Sequence, residues 1–247
     1  MRNIEDYAKN YIEPGFEDWQ VKYRRKKLME ILESYKPERI LEIGCGMDPM
    51  FQYADWNYCL WTVIEPSSLF CENARVLAEN TENSGRVSVY HGVFSQNIMT
   101  EDEFDFIICS SLLHEVEDSK KFLLEIADIC SKDTMVHINV PNANSFHRIL
   151  AKNGGLIKDV HEFSPRNKQL QQSRVFDMEL LKKELKDTGF SLCDCGSYFI
   201  KPFAHWQMYQ MLKIGIINEA VLDGLYAISD KFKEYGSEIY INVKLAD

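Results

Sequence analysis

Two glycines and two carboxylates stand close together in the run Arg39 to Pro49, which reads Arg-Ile-Leu-Glu-Ile-Gly-Cys-Gly-Met-Asp-Pro. Ile40, Leu41 and Ile43 form an apolar burst long enough for a buried parallel strand. Gly44 and Gly46 then allow a sharp backbone turn and leave room for a ligand to approach the main chain closely. Glu65 ends the next apolar run, 21 residues after Gly44. That sets a carboxylate at a second strand tip, where it can accept hydrogen bonds from both hydroxyls of a ribose.

Two kinds of cofactor site begin this way. A dinucleotide fingerprint needs Gly-x-Gly-x-x-Gly, its third glycine permitting close helix–strand packing. Pro49 occupies that position, and Asp48 adds negative charge where a pyrophosphate would lie. The run instead resembles motif I of the class I S-adenosylmethionine-dependent methyltransferases, Glu-x-Gly-x-Gly-x-Gly. Glu42, Gly44 and Gly46 match it, and Asp48 replaces the last glycine.

The resemblance implies a pocket for S-adenosylmethionine. Gly44, Cys45 and Gly46 would back its methionine part, and Glu65 with Pro66 would take its ribose. Glu42 would meet the amino group, or else cap amides of its own loop as a buried acid. Relatives often carry an acid after the third strand for the adenine. Here Gly92 to Ser95 stands in that place, so Phe94 would lie against the adenine face and Ser95 or Gln96 would bond its edge.

Ser110 to Val116 resembles the segment after strand four in these enzymes, often Leu-Glu-His-Val, with His and Glu in reversed order. Ser110 or Ser111 would line the cofactor and Leu112 would press on it. His114 is the candidate general base, because imidazole titrates near neutrality. A histidine that merely closes the pocket is the competing reading. His161, two residues before Phe163 in a polar stretch, is the second base candidate, against an exposed or packed histidine.

Asn139 to Arg148 resembles a subgroup in which Val-Pro-Asn-Ala precedes a helix carrying an Arg. Asn142, Asn144, His147 and Arg148 would face the methyl acceptor, Arg148 contacting a carboxylate or phosphate on it. Tyr7, Tyr11 and Trp19 would fold over the pocket as a lid, Tyr11 reaching the acceptor, or would only pack. His205 and Trp206, with Tyr198 and Phe203, would wall the acceptor pocket or fill the core of a cap. The acceptor implied is a small polar metabolite: a sugar, a nucleotide-linked compound or a phosphate-like group, methylated on oxygen or nitrogen. Two rivals stand beside this reading. An NAD-dependent oxidoreductase would share Gly44, Gly46 and Glu65 but wants the missing glycine. A catalytically inactive S-adenosylmethionine-binding partner subunit would account for the altered motif.

These residues need strand tips brought to one edge. Apolar runs at 39–43, 58–65, 87–90, 104–110 and 135–140 read as strands, alternating with helices at 18–35, 68–80 and 119–131. That alternation implies right-handed crossovers and a parallel α/β sheet. A long polar connection covers 142–176, then a helix 178–188, a strand 191–200, a helical stretch 203–235 and a strand 239–243. In the helical stretch, Ile217, Val221, Leu225, Ile228 and Phe232 share one face. The resemblance implies a Rossmann-like, seven-stranded, mostly parallel sheet with the last strand antiparallel. Residues 1–36 read as an N-terminal helical segment or lid and 37–247 as the methyltransferase domain, with 142–176 and 203–235 as acceptor-side caps.

Composition bounds the partners. A chain of 247 residues, 45% hydrophobic, can bury a sizeable core. A net charge of −10 argues against a nucleic-acid surface. The cluster Lys22, Arg24, Arg25, Lys26 and Lys27 reads as the solvated face of a helix. Seven irregularly spaced cysteines suggest no disulfide framework, and Cys59, Cys109 and Cys130 read as small core residues. No histidine pair supports a metal site. With neither an apolar leader nor a long apolar span, the expectation is a soluble cytoplasmic protein without a membrane partner. A homodimer stays open.

Overall fold

The computed structural model describes residue 4, residues 15–94 and residues 103–246. Helix α1 (Glu17–Tyr35) leads into β1 (Arg39–Ile43), β2 (Leu60–Glu65), α2 (Ser68–Glu79) and β3 (Val87–His91). Next come β4 (Phe106–Ser110), α3 (Ser119–Ala127) and β5 (Met135–Pro141). The chain continues through α4 (Phe146–Asn153), α5 (Pro165–Gln169), α6 (Met178–Asp187) and β6 (Phe190–Tyr198). It ends with α7 (His205–Lys213), α8 (Glu219–Ala227) and β7 (Glu238–Leu245).

The strands make one sheet in the order β3-β2-β1-β4-β5-β7-β6. β1 to β5 run parallel, and β7 lies antiparallel between β5 and β6. This is the Rossmann-like architecture expected. The inner strands are apolar throughout because both of their faces are covered. Leu41, Ile107 and Ile138 pack on one face with Leu123 of α3 and Leu181 of α6. Ile40, Trp61 and Ile108 pack on the other with Leu28 and Leu32 of α1. From β1 the chain builds outward one way to β2 and β3, and the other way to β4 and β5. Loops leaving β1 and β4 therefore diverge and open a crevice at the carboxyl ends of those strands.

Four expectations change. Helix α1 is a layer of the core, with Leu28 1% and Leu32 0% exposed. The remainder of the expected lid, with Tyr7 and Tyr11, lies outside the described residues. The connection 142–176 carries α4 and α5, the latter fixed by a reciprocal capping box between Ser164 and Asn167. The stretch 203–235 breaks at Gly215, whose φ of +73° suits glycine, so the helical phase is lost. Val221 and Phe232 are exposed, and Leu222 and Tyr226 pack instead on Phe16, Tyr23 and Phe199. Cys59 is exposed, whereas Cys71 and Cys109 are buried. Among the described residues no helix is long and apolar enough to cross a membrane.

Candidate active site

The turn after β1 is built for close approach. Gly44 and Gly46 have φ of +73° and +59°, and the Gly44 amide donates to the Ile64 carbonyl at 2.8 Å. A Cβ on Gly44 would touch the Leu112 side chain at 3.5 Å. One on Gly46 would meet nothing within 4 Å, so the turn faces open space on that side. That space is a cavity of about 440 Å³. The tips of β1, β2 and β4 form its floor and α1 flanks it. Gly44, Cys45, Gly46, Glu65, Ser110 and Leu112 line it together, joined by Glu42, Pro66, Phe94 and Ser111. Ser95 lies outside the described residues.

Glu65 is 3% exposed and accepts from the Gly46 amide at 3.1 Å and the Ser67 amide at 2.9 Å. Burial raises its carboxyl above the usual range, and those two amides oppose the rise. A carboxylate offers about four acceptor sites, so two amide bonds leave capacity for a diol. Glu42 behaves differently. It accepts from the Met50 amide at 3.1 Å and from Trp61 Nε1 at 3.0 Å, which turns it toward its own loop. Burial pushes it up to about 8, against those two hydrogen bonds.

Asp48 is not a bare charge. It pairs with Arg25 and accepts from the Tyr53 hydroxyl, and the Arg25 guanidinium lies 4.3 Å over the Tyr53 ring. Arg25 neutralises the charge expected to repel a pyrophosphate, so that argument loses its force. The basic face of α1 is also not simply solvated. Arg24 is 12% exposed and binds Glu238 at 2.6 Å, and both Arg24 and Arg25 line the cavity.

A second, smaller and more polar cavity of about 130 Å³ adjoins the first, sharing Arg24, Ser111 and Glu115 with it. Here the structure gathers His114, Asn142, His147 and Arg148. His114 is 2% exposed, with Nε2 3.8 Å from Glu115. Asn142 is occupied structurally, donating to the Glu234 and Gly236 carbonyls and accepting from the Asn144 amide. Asn144 lines neither cavity. Arg148 spends Nε on the Val160 carbonyl at 2.7 Å and Nη2 on the Glu162 carbonyl, so it ties down the connection as well as facing the cavity. His161 stands apart from both cavities: it is exposed, bracketed by Asp159 at 3.2 Å and Asp177 at 3.0 Å. Tyr11 lies outside the described residues.

Reading the sequence missed Glu17, Gln20, Lys201 and Glu238, which also line the smaller cavity. Glu238 is 1% exposed and is held by Gln20, Arg24, Asn139 and Tyr198. A charged residue just before an apolar strand was the available signal. Of the suggested aromatic wall, His205 lines this cavity, Tyr198 sits in the cap core, and Trp206 is 68% exposed.

The chain belongs to the methyltransferase-domain family, whose model matches residues 17–194, and its fold is that of the class I S-adenosylmethionine-dependent methyltransferases. Solved structures with the same fold include a putative sarcosine dimethylglycine methyltransferase from Galdieria sulphuraria. That match has 11% identity and a TM-score of 0.61, over 89% of this chain and 84% of the other. The N-methyltransferase NodS from Bradyrhizobium japonicum WM9, in complex with S-adenosyl-L-homocysteine, matches at 12% identity and TM-score 0.55 over 96% and 91%. The [4+2]-cyclase SpnF matches at 18% identity and TM-score 0.56 over 84% and 75%. No curated protein sequence matches the chain.

The larger cavity fits an adenosyl cofactor on its own features. It has an open-backed glycine turn, a carboxylate with spare acceptor sites at the next strand tip, and apolar walls at Leu112 and Phe94. Phe94 is itself braced edge-on against Phe122 at 5.7 Å.

Proposed function

We propose that the chain transfers a methyl group to an oxygen or nitrogen of a small polar acceptor held in the smaller cavity. The observation that carries this reading is the meeting of the two cavities at Ser111 and Glu115, which line both. Ser111 holds a φ of +54°, a conformation that costs a non-glycine residue about 1–3 kcal/mol and that clusters at functional sites. A polar chamber opening beside an adenosyl pocket suits an acceptor that must meet one atom of the cofactor in line.

When bound, S-adenosylmethionine supplies a methyl group already activated by a sulfonium. The chain's task is then mostly alignment, which by itself can supply several kcal/mol of rate. Glu65 would take the ribose hydroxyls, the Gly44–Gly46 turn would accommodate the methionine end, and Phe94 would lie along the adenine. Glu42 supports the turn through Met50 and Trp61. Ser111 and Leu112 press the two ligands together. His114, at the inner wall, takes the proton that the acceptor atom sheds. A loop histidine as exposed as His161 has no part in this arrangement.

Calorimetry with S-adenosylhomocysteine and with NAD separates this reading from an oxidoreductase, which would bind only the second. Transfer of labelled methyl into panels of sugars, nucleotides and amines then finds the acceptor. Tight cofactor binding with no transfer to any panel member would favour the inactive partner subunit.

A further inference from the structure

The smaller cavity collects positive charge inside a chain whose net charge is −10. Lys201, Arg148, Arg166 and Arg24 line it, facing Glu17, Glu115 and Glu238. The acids have partners of their own: Arg24 binds Glu238 at 2.6 Å and Glu17 at 3.5 Å, and Glu115 lies 3.8 Å from His114. Lys201 is different. It is 2% exposed, and among the described residues no carboxylate lies within 4 Å of its ammonium. Among the described residues its one hydrogen-bonded neighbour is His205 Nδ1 at 2.8 Å, which leaves two of its three donors. His205 Nε2 lies 3.3 Å from Glu17, and a Lys201 ammonium can only donate, so Nδ1 is the acceptor of the Lys201 contact.

His147 adds an independent sign. Its Nδ1 is buried without a hydrogen-bond partner at the wall of the same cavity. A buried polar atom left unpaired costs about 1–3 kcal/mol, a penalty a bound group would remove. Burial first, then Lys201, His205 and Arg148, holds this imidazole well below its ordinary value. It is therefore neutral near pH 7 and has one ring N–H to give. Burial also pulls Lys201 down to about 8, with Glu17 and Glu238 opposing, so it still carries its proton near neutrality. Glu17 and Glu238 act on Lys201 only from beyond 4 Å, and a buried cation without a direct ion pair is a costly arrangement unless a ligand completes it.

We infer that the smaller cavity binds an anionic group of the methyl acceptor, a carboxylate or a phosphate, with Lys201 as its main cation and Arg166 and His147 beside it. Arg148, whose guanidinium holds the Val160 and Glu162 carbonyls, shapes the wall more than it grips the ligand. The inference deepens the reading of this cavity as the acceptor site and rests on it. An acceptor so anchored would present its oxygen or nitrogen toward Ser111, at the junction with the cofactor cavity.

The test titrates the protein with inorganic phosphate and, separately, with acetate. Sodium chloride matches the ionic strength, and S-adenosylhomocysteine is present in one series and absent in the other. Wild type should bind one of the two anions, which identifies the source. Lys201→Met, close in volume, should bind it at least tenfold more weakly, Lys201→Arg should recover part of the loss, and Arg166→Gln should weaken it severalfold. Unaltered S-adenosylhomocysteine affinity in these variants shows that they remain folded. If neither anion binds at tens of millimolar, or if Lys201→Met binds as well as wild type, the inference is overturned. Failure of S-adenosylhomocysteine to bind wild type would instead remove the cofactor reading, while the anion series without it still decides the charge of the smaller cavity.

Discussion

The amide of Gly46 donates to Glu65 Oε2 at 3.1 Å, so the turn after β1 is tied to the tip of β2. The other carboxylate oxygen takes the Ser67 amide, which opens α2. One side chain thus organises two backbone segments around the cavity and still has acceptor capacity facing it. A serine hydroxyl from Ser67 caps α2 by accepting from the Phe70 amide, fixing the same corner from the helix side.

Glu65 variants should therefore separate cofactor binding from loop order. Each hydrogen bond to a charged group contributes about 1.5–3 kcal/mol, so Glu65→Ala should weaken S-adenosylhomocysteine by roughly tenfold to a few hundredfold. Glu65→Gln retains an oxygen for one amide and should lose less. Calorimetry on both reads the difference. Equal affinity in wild type and Glu65→Ala would show that the ribose does not meet this residue.

The Arg25–Asp48 pair should matter little to stability and modestly to the cofactor. Both side chains are 28% exposed, where ion pairs contribute about 0–1 kcal/mol. A double-mutant cycle through Arg25→Ala and Asp48→Ala should give a coupling within that range by denaturant unfolding. Affinity for S-adenosylhomocysteine should fall no more than about fivefold in either single variant, as a loop loses one tether. A loss of hundredfold or more would mean that Asp48 or Arg25 touches the ligand.

What could be read in advance follows the range of the interactions. Strands buried on both faces are continuous apolar runs, so β1, β2, β4 and β5 announced themselves. Gly44 and Gly46 were visible because only glycine tolerates their φ cheaply. The partners of charged residues were not visible. Arg25 meets Asp48 across 23 residues of sequence, and Arg24 meets Glu238 across 214. No local pattern reports such a pairing, and α1's basic cluster looked solvated for that reason. The stretch 203–235 hides its break for another reason: its apolar spacing is regular, but Gly215 interrupts the phase.

His114 should affect turnover more than binding. General bases commonly contribute about 10²–10⁴ in rate. His114→Asn should lower kcat for the acceptor by at least the smaller of these factors and leave S-adenosylhomocysteine affinity nearly unchanged, because the side chain lines only the smaller cavity. Steady-state kinetics over both substrates decides the matter. A rise in acceptor KM at constant kcat would show a histidine that shapes the pocket without moving a proton.

Glu42 should make stability fall as pH rises. Its carboxyl is raised from 4.5 to about 8 by burial, so between those values the folded state holds a proton that the unfolded state has released. The sign follows directly: the contribution is complete below about pH 4.5 and is lost as pH climbs through about 8. Glu65, also raised by burial, acts in the same direction. Glu42→Gln retains an oxygen to accept from Met50 and Trp61 but does not titrate. Relative to wild type, its Tm should therefore climb from pH 5 to about pH 8 and level off above that, each kcal/mol amounting to about 2–4 °C in a chain of this size. A difference in Tm that stays flat across that range would mean that Glu42 is already ionised in the folded protein at low pH, its burial offset by the two donors at the base of the glycine turn.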